Sequence, residues 1–125
     1  MIVAGFGLRA SASEDSLRAA LAATGAMGLT AIAVPADKAD HPALAALAAS
    51  LKLPLLAVPL AQLVAERTPT QSARQPRRYG CGSVCEAAAL SACGPGARLI
   101  RPRQISPCGT VTVAVATVSA QGFLP

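Results

Sequence analysis

Aromatic side chains are nearly missing from this chain: among its 125 residues only Phe6, Tyr79 and Phe123 are aromatic, and there is no tryptophan. Nucleic-acid recognition by stacking bases on aromatic side chains is thereby close to excluded. Charge is sparse as well, at 14% of residues against 53% hydrophobic, the opposite of a chain too polar to repay the entropy of ordering. Histidine occurs once, at His41, and the four cysteines, at positions 81, 85, 93 and 108, do not form two close pairs. A zinc site usually needs ligands paired about two to four residues apart twice over. No metal is expected, and the cysteines read as small buried apolar side chains.

Long apolar runs are lacking too. The uncharged stretches 19–36 and 104–125 approach the roughly 20 residues of a membrane span. The first, however, contains Thr24, Gly25, Gly28, Thr30 and Pro35, and the second carries Pro107 and Gly109 before alternating as a strand does. The apolar residues 2–8 have no basic region before them and run into Arg9, which does not fit a secretory leader. The expectation is a cytoplasmic protein with no membrane partner.

What is abundant is alanine, 29 residues, so the core must be built from Ala, Val, Leu and Ile with close backbone approach. The net charge of +5 is uneven: residues 1–66 hold four basic and five acidic groups, whereas residues 67–125 hold seven basic groups against Glu86 alone. An excess of +6 in the second half points to an anionic partner. Arg74, Arg77 and Arg78 have only Tyr79 beside them and no helix with a basic stripe. A polycarboxylate therefore fits better than nucleic acid, which is not expected.

Apolar runs and punctuation give the order of elements. Residues 2–7 read as a buried strand ending in glycines, followed by a helix capped by Ser11 or Ser13, with Ser11-x-x-Glu14 as a capping box and Gly25 as its stop. Residues 29–34 form a second strand. Pro42 opens a helix with Leu44, Leu47 and Leu51 at helical spacing, residues 53–58 a third strand and residues 60–66 a brief helix. Residues 68–79 have no apolar periodicity and read as a mobile basic loop. Ser83-x-x-Glu86 is a second capping box, opening a helix that stops at Gly94. Residues 97–100 and 110–116 are the last strands, the latter covered on both faces. Strands alternating with helices over one domain, residues 1–125, predict an α/β fold: a three-layer α/β/α sandwich with a mostly parallel or mixed sheet of about five strands.

In such sheets ligands gather beyond the carboxyl ends of the strands. That rule selects Gly5-x-Gly7-x-Arg9 with Ser13, the cluster Asp37-Lys38-Ala39-Asp40-His41, and Gly80-Cys81-Gly82-Ser83 with Glu86. Gly5-x-Gly7 is not a dinucleotide fingerprint, since its third glycine would fall at Ala10, and no cofactor is expected. The glycines serve a tight turn or a ligand equally well. Arg9, on a strand-to-helix loop, is suited to clamp a carboxylate at two points. His41 near Asp37 and Asp40 has the chemistry for proton transfer but no recognisable nucleophile. Glu86 is accounted for by its capping box. Arg98, Arg101 and Arg103 flank the fifth strand and either help surround a ligand or form an exposed rim.

Taken in order, Val3-Ala-Gly-Phe-Gly-Leu-Arg9, Lys38-Ala-Asp-His-Pro42, Gly80-Cys-Gly-Ser-Val-Cys-Glu86, Arg98-Leu-Ile-Arg-Pro-Arg103 and Gly109-Thr-Val-Thr-Val-Ala-Val-Ala116 resemble the cobalamin biosynthesis family of CobE and the C-terminal domain of CbiG. The resemblance spans nearly the whole chain. It implies a three-layer α/β/α domain serving the corrin-ring pathway, in which the fused CbiG protein opens a lactone on a ring-contracted cobalt-precorrin. By position, Gly5, Gly7, Arg9, Ser13, Lys38, Gly80, Ser83 and Glu86 match the family pattern, and Gly82 joins them as a ligand-binding candidate. The family usually has an acid where His41 stands and a lysine where Arg103 stands. With no counterpart of the N-terminal regions of CbiG, the stand-alone CobE form is the better match. The expected function is binding of a polycarboxylate precorrin-type tetrapyrrole as an accessory or carrier protein, with other cobalamin-pathway enzymes as possible partners. The alternative is a small hydrolase of a lactone-bearing precorrin, using Lys38, His41 or Glu86.

Overall fold

The computed structural model describes residues 1–65, 84–106 and 109–118. The loop expected at 68–79 lies outside them, as do Gly80, Gly82, Ser83, Cys81, Cys108 and the arginines at 74, 77 and 78. Five strands, β1 (Ile2–Leu8), β2 (Ala31–Pro35), β3 (Leu55–Val58), β4 (Arg98–Ile105) and β5 (Val111–Thr117), form one sheet in the order β3-β2-β1-β5-β4. β1, β2 and β3 pair in parallel, whereas β5 runs antiparallel to both β1 and β4. The sheet is mixed, as expected.

Helices cover both faces. α1 (Glu14–Thr24) and α2 (Pro42–Leu51) lie on one side, and α3 (Leu60–Ala65) and α4 (Val84–Cys93) on the other. The alternation of side chains along each strand sorts the core. Ala4, Phe6, Ile32, Val34, Val111, Val113 and Val115 face α1 and α2, where Leu17, Leu44 and Leu47 meet them. Val3, Ala31 and Ala33 face α4, which offers Val84, Ala87 and Ala88 in return. The strand periodicity of residues 110–116 thus separates a valine face from the face carrying Thr112, Ala114 and Ala116, and both are covered.

The helix ends follow their capping chemistry. Ser13, not Ser11, is the N-cap of α1: its hydroxyl accepts from the Ser16 N–H at 3.1 Å, one of the orphan donors of a first turn. Gly25 closes α1 in the left-handed region at φ 67°. Pro42 occupies the first turn of α2 as its fixed φ predicts.

The strand β4 runs to Ile105, past the expected end at residue 100, and includes Pro102. An edge strand tolerates proline because one side of it has no ladder to donate to. The register with β5 slips between Leu99 and Arg101 and again between Arg101 and Gln104, so this stretch is bulged. Among the described residues no helix is long and apolar enough to cross a membrane.

Candidate functional site at the carboxyl end of the sheet

The strand register decides which candidates meet. Gly7 lies opposite Thr112, and Thr112 opposite Ile105, so the end of β1, the start of β5 and the end of β4 share one edge of the sheet. Arg9 follows immediately, its N–H donating to Thr110 O at 2.9 Å. The segment bearing Lys38 and His41 follows the end of the neighbouring β2. The first residue of α4, Val84, stands beside Gly7, so that helix points its N-terminus, the positive end of its dipole, to the same edge. Arg9, Lys38 and Arg103 thus come to one end of the sheet from three different strand ends. Arg9 is exposed and the other two are half-buried. Their side chains make no hydrogen bond or ion pair among the described residues, although Asp37 and Asp40 adjoin Lys38 in sequence.

Other candidates turn out to hold the fold. Gly5 and Gly7 are not loop residues: both are buried inside β1. A Cβ on Gly5 would collide with the Cys85 carbonyl oxygen and lie 2.6 Å from the Ala89 N, so this glycine is where α4 presses on the sheet. A Cβ on Gly7 would lie 2.7 Å from Thr112 Oγ1. The tight turn expected at these glycines is thus replaced by strand packed under a helix. Ser13 serves α1 as its cap, donating from Oγ to Ser16 Oγ at 3.0 Å as well.

Glu86 is fully buried, and its Oε2 accepts from the Arg103 N–H at 3.0 Å. That N–H lies in the bulged part of β4, where the ladder to β5 is interrupted. The carboxylate supplies an acceptor for a donor that the bulge displaces, in the first turn of α4 where the dipole favours an anion. Sequence reasoning linked Glu86 only to Ser83, since nothing in the spacing of residues 98–105 announces a bulge.

His41 also has a place the sequence did not show. It is the N-cap of α2: Nδ1 accepts from the Ala43 N–H at 3.1 Å, while Nε2 lies 3.0 Å from Ala10 O. Arg101 is drawn away from the carboxyl edge, its Nε donating to Thr24 O at the end of α1 at 2.7 Å. A cation on the last carbonyls of a helix complements its dipole.

An open groove of about 580 Å3 lies between α1 and α2, lined by Arg18, Leu21, Leu29, Leu47, Leu51 and Leu53. Leu29 and Leu53 precede β2 and β3, so it opens toward the amino ends of these strands, away from Arg9 and Lys38. Its lining is apolar apart from Arg18, whose guanidinium is already engaged by Glu14 and Ser50. Of the cysteines described, Cys85 is buried and Cys93 half-buried, and both are thiols. Burial pushes the Cys93 thiol above its ordinary range, against smaller opposing effects of the chain's amino group and a backbone hydrogen bond from Val3.

Comparison with known proteins agrees with this architecture. Residues 2–116 match the family model described as cobalamin synthesis G C-terminus. The crystal structure of CobE, a protein from the cobalamin (vitamin B12) biosynthetic pathway, superposes with a TM-score of 0.83 at 34% identity, over 95% of this chain and 91% of that one. Cobalamin biosynthesis protein chiG from Agrobacterium tumefaciens str. C58 gives 0.71 at 36% identity, over 95% and 99%. A cobalamin biosynthesis protein G homologue from Sulfolobus solfataricus shares the fold, with a TM-score of 0.69 at 18% identity; the match covers 94% of this chain and 37% of that one. No curated protein sequence matches. The ordered motifs, the mixed five-stranded sheet and these likenesses agree, and the chain belongs to the cobalamin biosynthesis family of CobE and the CbiG C-terminus.

Proposed function

We propose that this cobalamin biosynthesis protein binds a polycarboxylate, precorrin-type tetrapyrrole at the carboxyl end of its sheet and holds it without converting it. The observation that carries the reading is the arrival of Arg9, Lys38 and Arg103 at one edge from three separate strand ends, beside the N-terminus of α4. Precorrins carry acetate and propionate arms around a broad apolar ring. Guanidinium groups pair with such carboxylates at two points, and Ile105, 57% exposed at the end of β4, offers apolar surface to the ring. Hydrolysis is the weaker reading for a specific reason. Of the three groups assigned to it, His41 has both ring nitrogens engaged and Glu86 is turned into the interior on a backbone N–H.

Fluorescence titration with uroporphyrin, an octacarboxylate, and coproporphyrin, a tetracarboxylate, tests the binding. Uroporphyrin should bind more tightly, by way of its added carboxylates. Arg9→Ala should weaken it by roughly ten- to a hundredfold, the equivalent of one charged hydrogen bond of about 1.5–3 kcal/mol, with an almost unchanged Tm. Arg9→Lys should restore only part of the loss. A large fall in Tm for Arg9→Ala with normal binding would make Arg9 an internal clamp and displace the site. Incubation with a lactone-bearing intermediate should leave it bound and intact, and turnover would favour the hydrolase.

A further inference from the structure

The lone histidine sits between two candidate binding loops, and its hydrogen bonds reach both. Its Nδ1 receives the Ala43 N–H, so the ring proton of the neutral side chain must be on Nε2, which donates to Ala10 O. Ala10 directly follows Arg9, and the Arg9 carbonyl in turn accepts from the Ala12 N–H at 3.0 Å. On the other side, the His41 N–H donates to Lys38 O at 3.0 Å. A single ring thus joins the turn carrying Arg9 to the turn carrying Lys38, with each cation at most a residue or one backbone hydrogen bond from it.

We infer that His41 is a positioning residue that clasps the loop after β1 to the loop after β2 and so sets the spacing between Arg9 and Lys38. The inference rests on the reading of this edge as the tetrapyrrole site. Capping and clasping are separable by chemistry. An aspartate is a good N-cap and can accept the Ala43 N–H, but an ionised carboxylate has no proton to give Ala10 O. His41→Asp therefore keeps the cap and removes the clasp, whereas His41→Ala removes both.

Hydrogen exchange, thermal melting and porphyrin titration on the parent, His41→Asp, His41→Ala and Arg9→Ala chains test this. In His41→Asp the amides of residues 10–13 should exchange several-fold faster while Tm stays within a few degrees of the parent. Uroporphyrin affinity should fall roughly three- to tenfold, and the preference for uroporphyrin over coproporphyrin should narrow, a change that a merely structural role would not produce. His41→Ala should show the same losses together with a lower Tm. Unchanged exchange at residues 10–13 in His41→Asp overturns the clasp. Faster exchange with parental affinity and selectivity, while Arg9→Ala still weakens binding, overturns the positioning role and leaves the site reading standing. Absence of porphyrin binding by the parent chain overturns both.

Discussion

The two faces of the sheet are built on opposite rules. Toward α1 and α2 the strands present Phe6, Ile32, Val34, Val111, Val113 and Val115, and stability comes from filling volume with large apolar groups. Toward α4 they present Gly5, Gly7, Ala31, Ala33 and Ala116 with Val3, and the helix answers with Ala87, Ala88 and Ala89 beside Val84. There the close approach of one backbone to another replaces bulk, which accounts for a core with almost no aromatics. The consequence for function is positional. Because α4 lies so low on β1, its first residue, Val84, stands beside Gly7 at the end of the sheet where Arg9 follows, and the buried Glu86 reaches the Arg103 N–H.

If the faces differ in this way, the first should suffer from deletion and the second from addition. The largest effect is expected for Phe6→Ala, at about 3–5 kcal/mol from lost burial and the cavity left behind, read as a lower denaturation midpoint at unchanged m-value. Next comes Gly5→Ala. A single methyl group there meets backbone atoms of Cys85 and Ala89 that cannot turn aside, for a cost of about 3 kcal/mol at the upper end of overpacking. A Gly5→Ala chain as stable as the parent would break the comparison.

Gly7→Ala sharpens it, because the obstacle is the hydroxyl of Thr112, the end of a side chain. The expected cost is about 1–2 kcal/mol, and Thr112→Ala in the same chain should recover most of it, a non-additivity open to a double-mutant cycle. The smallest effect concerns Cys93, packed against the α4 side of the sheet. Its thiol is raised chiefly by burial, so folding favours the neutral form. The sign follows: the stability it contributes is complete below the ordinary thiol pKa and is lost as pH rises through the raised value. Native Cys93 should alkylate more slowly than a free cysteine near pH 8, with the difference shrinking as pH climbs, and unfolding should abolish the difference.

The apolar runs of β1, β2 and β3 and the alternation of β5 are visible in the sequence, as are the stop at Gly25 and Pro42 in the first turn of α2. So is the parallel βαβ order, from which the carboxyl end is proposed as the site. What the sequence does not show has one origin, contacts between residues far apart in the chain. Gly5 and Gly7 look like turn glycines until a helix 80 residues later is laid across them. The strand expected over residues 97–100 runs on through Pro102 to Ile105, which an edge position permits. Glu86 and His41 each also hold a backbone atom, of Arg103 and Ala10, at positions that no local pattern indicates.

The most direct test of the binding site is hydrogen exchange on the parent chain with and without uroporphyrin, because the two candidate surfaces lie toward opposite ends of the sheet. The account predicts slower exchange at residues 9–13, 36–43 and 103–106 and no change at 21–29 and 47–53, which surround the apolar groove. Protection confined to the groove would contradict it, since the ring would then be held by its apolar face against α1 and α2, and the arginines at the carboxyl edge would have no part in binding.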